Sequence, residues 1–202
     1  MDLVDEVAAL DGLELSVLHP RDPASFLDEE AFAREEYMPY WAELWPSAVV
    51  LARTVWARSL GGRRVLELGC GLALPSIAAA LRGADVLATD WSPDALRFAR
   101  VNARRNGASI ATACCAWGEP ARIVEAAPWD LVLASDVLYE LRNVDLLLAL
   151  LPQLVDERGD VLLADPGRPH ARPFLERAAD EWTIDERART APNVIVYRLR
   201  RR

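Results

Sequence analysis

At 202 residues, about half of them apolar, the chain is one domain in length and should bury roughly 70% of its unfolded surface. Charges interrupt every long apolar run, which excludes a membrane span, and a net charge of −8 argues against a nucleic-acid backbone as partner and for a basic protein or amine. Three cysteines, two of them adjacent, have neither disulfide-framework nor metal-ligand spacing.

Those thiols read as buried. The acidic start, MDLVDEVAALDG, lacks the basic-then-apolar order of a signal peptide, so a cytoplasmic location is expected. All 23 basic residues are arginine, a bias that fits a GC-rich genome also rich in alanine codons.

Residues 1–45 read as an extension of a core in residues 46–202, the whole forming one domain. Leu13 to Leu18, LELSVL, alternates like an edge strand and is stopped by the turn HPRDP. Ala24 to Glu36 is acidic and predicts a helix. The following YMPYWAELWP carries Trp41 and Trp45, four apart, then a proline suited to the first turn of a helix over Ser47 to Ser59. On composition alone the two tryptophans read as a core plug.

From Val65 the pattern becomes strand, Gly-x-Gly turn, helix, strand, which is one βαβ unit with its turn at the carboxyl end of the first strand. Gly69 and Gly71 make the turn, Glu67 precedes it, and Asp90 follows Gly71 by nineteen residues, the separation at which a carboxylate reaches a ribose hydroxyl. A dehydrogenase fingerprint needs a third small residue where Leu74 stands. An acid at Glu67 would repel a pyrophosphate, whereas a sulfonium and an amino group would attract it. The ligand read from this unit is S-adenosylmethionine.

The alternation continues as in a doubly wound parallel sheet: Pro75 to Leu81 helix, Asp85 to Thr89 strand, a helix over Pro93 to Asn106 capped by Ser92, and Ile110 to Cys115 strand. Trp129 to Ser135 is a buried fourth strand ending in Asp136-Val137-Leu138-Tyr139. A helix over Asn143 to Val155 follows, for which Asp136 alone would also serve as a cap. Asp160 to Ala164 leads into the rigid loop Asp165-Pro166-Gly167-Arg168-Pro169, where Arg168 either binds substrate or bridges to a surface acid. A helix over Arg172 to Asp180 and strands over Trp182 to Arg187 and Asn193 to Arg200 close the chain. His19 and His170 fall on turns and read as exposed.

ELGCGLALP followed by ATD resembles the first two motifs of the class I, seven-strand methyltransferases that use S-adenosylmethionine. PYWAELWPSAVVLARTV, AWGEP, DLVLASDVLYE and LLADPGRP extend the resemblance over most of residues 39 to 169. It is closest to the protein-lysine branch containing the electron-transfer flavoprotein β-subunit enzyme and bacterial relatives labelled nicotinamide N-methyltransferase-like. The resemblance implies an α/β fold with strand order 3-2-1-4-5-7-6 and an antiparallel edge. It implies that Trp41, Trp45, Glu67, Gly69, Gly71, Asp90, Trp91, Trp117 and Ser135 surround the cofactor, and that Asp136 and Tyr139 face the transferred methyl. At Ala116 many relatives carry an acid that holds the adenine amino group, so Trp117 and backbone groups must serve here. A protein lysine is the implied acceptor, a small amine such as a nicotinamide-like molecule the alternative, and a non-catalytic cofactor-binding protein the third reading. No metal is expected.

Overall fold

The computed structural model describes residues 2–26, 39–190 and 193–202. Its first two strands, β1 (Leu3–Leu10) and β2 (Leu13–Pro20), form an antiparallel hairpin separate from the main sheet. The Asp11-Gly12 turn makes this possible, because Gly12 takes φ +79°, a conformation glycine adopts without strain. Ala8, Leu10, Leu15 and Val17 on its inner face are buried in the main core. The single edge strand expected at Leu13 to Leu18 is thus half of a hairpin. Of the helix expected over Ala24 to Glu36, Pro23–Phe26 form one 3-10 turn and the remainder lies outside the described residues.

Tyr40–Ala42 form another 3-10 turn, and α1 (Pro46–Trp56) starts with Pro46 in its first turn. The main sheet follows as β3 (Arg64–Leu68), β4 (Asp85–Asp90), β5 (Ala111–Cys114), β6 (Leu131–Ser135), β7 (Asp160–Asp165), β8 (Trp182–Thr190) and β9 (Val194–Arg201). Its order, β5-β4-β3-β6-β7-β9-β8, is the expected 3-2-1-4-5-7-6 once the hairpin strands are counted off. β9 alone runs opposite to the other six strands of this sheet.

Helices α2 (Leu74–Leu81), α3 (Pro93–Arg105), α4 (Ala121–Glu125), α5 (Leu141–Leu154) and α6 (Ala171–Ala178) connect the strands. The period-2 alternation of each strand divides the side chains between two cores. Val65, Leu131, Leu133, Leu162 and Ala164 face α1, α2 and the hairpin, while Leu66, Leu68, Val132, Val161 and Leu163 face α5 and α6. Burial on both faces explains why these strands read as continuous apolar runs. Ser92 caps α3 as expected, accepting from the Ala95 amide at 3.3 Å.

Asn102, buried in the last turn of α3, and Asn106, its C-cap, accept from the backbone amides of Leu18 and Ser16 at 2.8 and 2.9 Å. These bonds dock the hairpin and hold it at one side of the sheet. His19 lies on β2 with its Nδ1 2.9 Å from the Pro20 carbonyl and its Nε2 3.4 Å from Glu6, so it is not the exposed turn residue expected. Among the described residues no helix is long and apolar enough to cross a membrane, and no group of three acids, cysteines or histidines is placed to hold a metal.

Candidate functional site

In an open α/β sheet the carboxyl ends of the strands leave a crevice where the crossovers diverge. Here the segments after β3, β4, β5 and β6 meet the Tyr40–Trp45 stretch around a cleft of about 330 Å³. Its walls include Trp41, Trp45, Gly69, Gly71, Asp90, Trp91, Trp117, Ser135, Asp136 and Tyr139, ten residues singled out from sequence. Five different chain segments therefore converge on it.

The glycine turn is built from three left-handed residues in alternation, Gly69 at φ +62°, Gly71 at +48° and Ala73 at +63°. A Cβ at Gly69 would stand 3.3 Å from the Trp117 ring, and one at Gly71 would stand 3.3 Å from the Trp41 carbonyl. Leu74 opens α2 and is buried.

Asp90 ties this turn to the next strand. Its Oδ2 accepts from the Gly71 amide at 2.9 Å and its Oδ1 from the Ser92 amide at 3.0 Å. Each oxygen keeps a second lone pair for a ligand hydroxyl. Burial pushes this carboxyl up to about 6, against the pull of those backbone bonds.

Glu67 stands elsewhere. It shares the β3 face of Val65, so it points under the turn toward α2 and does not line the cleft. Its Oε2 accepts from the Ser76 amide at 3.0 Å and from the Ser76 hydroxyl, while Oε1 is buried with no partner. The sequence reading aimed this acid at the cofactor's cationic groups, but strand alternation turns it to the helix face. Burial raises its carboxyl to about 8 from an ordinary 4.5.

That shift has a consequence for stability. As pH climbs past 4.5 the unfolded chain gives up this proton while the folded chain keeps it until about 8, so stability falls across that window, by at most about 5 kcal/mol. Glu67→Gln removes the effect. Its melting temperature relative to wild type is expected to rise steadily from pH 5 to pH 8.5, and a pH-independent difference would exclude this assignment.

Trp41 both packs in the core and faces the cleft. Its ring packs edge-on to Phe26 at 4.9 Å and on Phe98 at 5.5 Å, yet it also walls the cleft. Trp45 donates its ring N–H to the Tyr40 carbonyl at 2.6 Å. Tyr40 was not found from sequence; it lies 5.3 Å from the Tyr139 ring and is exposed at the cleft mouth. Its place directly before Trp41 in an aromatic cluster was the available signal. Cys115 and Ala116 also line the cleft, while Cys114 is exposed, unlike the buried thiol expected.

Asp136 takes φ +55°, a left-handed conformation that costs a non-glycine residue energy and is found where a site dictates geometry. It does not cap α5, whose N-cap is Glu140. Its carboxylate instead receives a two-pronged bond from Arg168, Nε to Oδ1 at 2.7 Å and Nη2 to Oδ2 at 3.1 Å. Arg168 does bridge to an acid, but not to the surface acid expected: its partner is the buried Asp136. The Arg168 guanidinium also lies 5.5 Å over the Trp45 ring. Together Trp45, Pro46, Asp136 and residues 166–169 line a second cleft of about 370 Å³, so the two clefts share Trp45 and Asp136. His170 is half-buried at the start of α6 and lines neither cleft.

A family model described as lysine methyltransferase matches residues 34–180. The human histone-arginine methyltransferase METTL23 is 36% identical over 148 residues, covering 70% of this chain and 74% of that protein. The Xenopus laevis electron transfer flavoprotein beta subunit lysine methyltransferase is 31% identical over 163 residues, covering 73% and 64%. Among solved structures, the ribosomal protein L11 methylase of Lactobacillus delbrueckii subsp. bulgaricus superposes with a TM-score of 0.60 at 27% identity, covering 79% of this chain and 81% of that one. The chain spans from 47% to 74% of the length of the first curated relatives it matches.

Proposed function

We propose, since this chain belongs to the lysine methyltransferase family, that it is an S-adenosylmethionine-dependent N-methyltransferase acting on a lysine side chain of a protein. The observation that carries the reading is the junction of two clefts at Asp136, one floored by the glycine turn and the other opening past Arg168. A transfer reaction needs two ligands that meet at one point.

The residues of the first cleft fit the cofactor. Side chains at Gly69 and Gly71 would fill the space between the turn and Trp117 or Trp41, and Asp90 has acceptor capacity left for a ribose. Trp91 and Trp117 offer flat apolar surface for a purine where Ala116 provides no acid. When bound there, S-adenosylmethionine supplies an electrophilic methyl group on a sulfonium.

The chain's own part is alignment. A free lysine amine must lose its proton to attack, at a cost of roughly 4.6 kcal/mol at pH 7 given a pKa of about 10.4. Asp136 and the Tyr139 ring are read as holding the amine in line, with Tyr40 and Trp45 excluding water and walling the cation. The three free thiols support a reducing, cytoplasmic setting.

Arginine is the second acceptor to consider, because the similar human METTL23 is a histone-arginine methyltransferase. Incubating the protein with a bacterial lysate and methyl-labelled cofactor, followed by mass spectrometry of protein and metabolite fractions, separates the readings. Methyl-lysine in one or a few proteins is the expected result. Methyl-arginine would select the second acceptor, label confined to metabolites would select a small amine, and label on no acceptor would leave a cofactor-binding protein.

A further inference from the structure

The Asp136 carboxylate at the meeting point of the clefts is not a bare anion, because a fixed cation is already paired with it. Asp165 explains why that cation stays in place. Its Oδ1 accepts from the amides of both Gly167 and Arg168 at 2.7 Å, and prolines at 166 and 169 bracket the turn. The Arg168 backbone is thereby set before its side chain reaches out. Two-pronged contact with Asp136 and stacking over Trp45 then fix the guanidinium. Displacing it would strand a carboxylate whose side chain is only 6% exposed, so an entering amine meets the pair intact.

We propose that Arg168 is a positioning and charge-cancelling residue of the acceptor site. The inference rests on the reading of this junction as the place where an amine is methylated. A bare carboxylate would attract a lysine ammonium and, by the same attraction, oppose its deprotonation. With Arg168 paired, the carboxylate keeps lone pairs for an amine N–H while its pull on a positive charge is largely cancelled. The amine is oriented without being locked in its unreactive, protonated form. The other described charged groups nearby fit this account. Asp165 has Oδ1 bonded to backbone amides and Oδ2 buried without a partner, and on the wall of the first cleft Arg142 is paired with Glu140, Asp90 is tied to the Gly71 and Ser92 amides, and Glu43 adds a further acid. Arg168 is the cation bonded to Asp136.

The test uses n-butylammonium as a probe of the acceptor site, followed by tryptophan fluorescence at pH 7 with S-adenosylhomocysteine present. Arg168→Gln uncovers the Asp136 charge and is expected to bind the probe about tenfold more tightly than wild type. Arg168→Lys, which keeps a charge there, is expected to bind as weakly as wild type, and the double variant Asp136→Asn/Arg168→Gln to lose the gain. Arg168→Met repeats the measurement should the glutamine variant fold poorly. Disruption of the loop alone would loosen binding, so a variant that binds the probe no better than wild type overturns the proposal. Calorimetry with S-adenosylhomocysteine separates the two levels. No binding to wild type defeats the methyltransferase reading itself, whereas normal binding with no gain for the probe defeats only the role of Arg168.

Discussion

Asp90→Asn is expected to weaken S-adenosylhomocysteine binding by about a hundredfold in calorimetry while leaving the far-ultraviolet circular dichroism of the protein unchanged. Both oxygens of Asp90 are committed to backbone amides, Gly71 on one side and Ser92 on the other. An asparagine amide has one oxygen and one NH2 group, so whichever way it turns, one of those N–H donors faces another donor. An orphaned buried donor costs about 1–3 kcal/mol, and loss of a charged acceptor for the ribose costs about 1.5–3 kcal/mol. Their combined range, about 2.5–6 kcal/mol, brackets the roughly 2.8 kcal/mol that corresponds to two decades in affinity. The fold is spared because the substitution also removes a buried charge whose carboxyl burial had raised to about 6. Below that pH the wild-type protein should itself lose affinity as the carboxylate takes a proton. Binding of the variant within threefold of wild type would remove Asp90 from the cofactor site.

The parts of this site that were legible in the sequence are those governed by local rules. Glycines at 69 and 71 mark a turn because their left-handed φ values are open to glycine and few other residues, and Ser92 marks a cap because its hydroxyl reaches an amide three residues on. The strand order followed from family resemblance to motifs at the strand ends. The first strand was missed because Leu3 to Leu10 has five exposed residues and no clean alternation, although Asp11-Gly12 beside the better-patterned Leu13 run was a hairpin signal.

Glu67 shows a different failure. Its sequence distance from Gly69 is short, and it was assigned to the ligand on charge. Strand periodicity, already visible in Val65 and Leu66, sends residue 67 to the helix face, where Ser76 receives it. Arg168 was undecidable for another reason. Its partner is 32 residues away on a neighbouring strand end, and only the parallel register of β6 with β7, which sets Ser135 against Ala164, brings the two loops together. Long-range pairing of side chains on adjacent loops leaves no trace in local pattern.

Asp136→Asn is the second substitution with a large expected effect, this time on transfer and not on binding. Asparagine tolerates the left-handed backbone at this position better than alanine does, so the turn at φ +55° should persist. The glycine turn at Gly69 and Gly71 and its tie to Asp90 are untouched, and S-adenosylhomocysteine affinity is expected to stay within threefold of wild type. The acceptor side changes in two ways. One oxygen becomes an NH2 group that repels either the Arg168 Nε or Nη2 donor, breaking the two-pronged contact, and the guanidinium then becomes an uncancelled positive charge beside the entering amine. A shift of about 1 Å in a reacting group costs roughly a hundredfold in rate, and electrostatic opposition to the amine adds to it. Transfer of labelled methyl to lysate proteins is therefore expected to fall by about two to three orders of magnitude. Asp136→Ala should lose as much transfer and some thermal stability besides, since alanine meets the strain of a left-handed φ without a side chain to offset it. Undiminished labelling by Asp136→Asn would show that the amine is aligned elsewhere in the junction, and Tyr139 would then be the residue to change next.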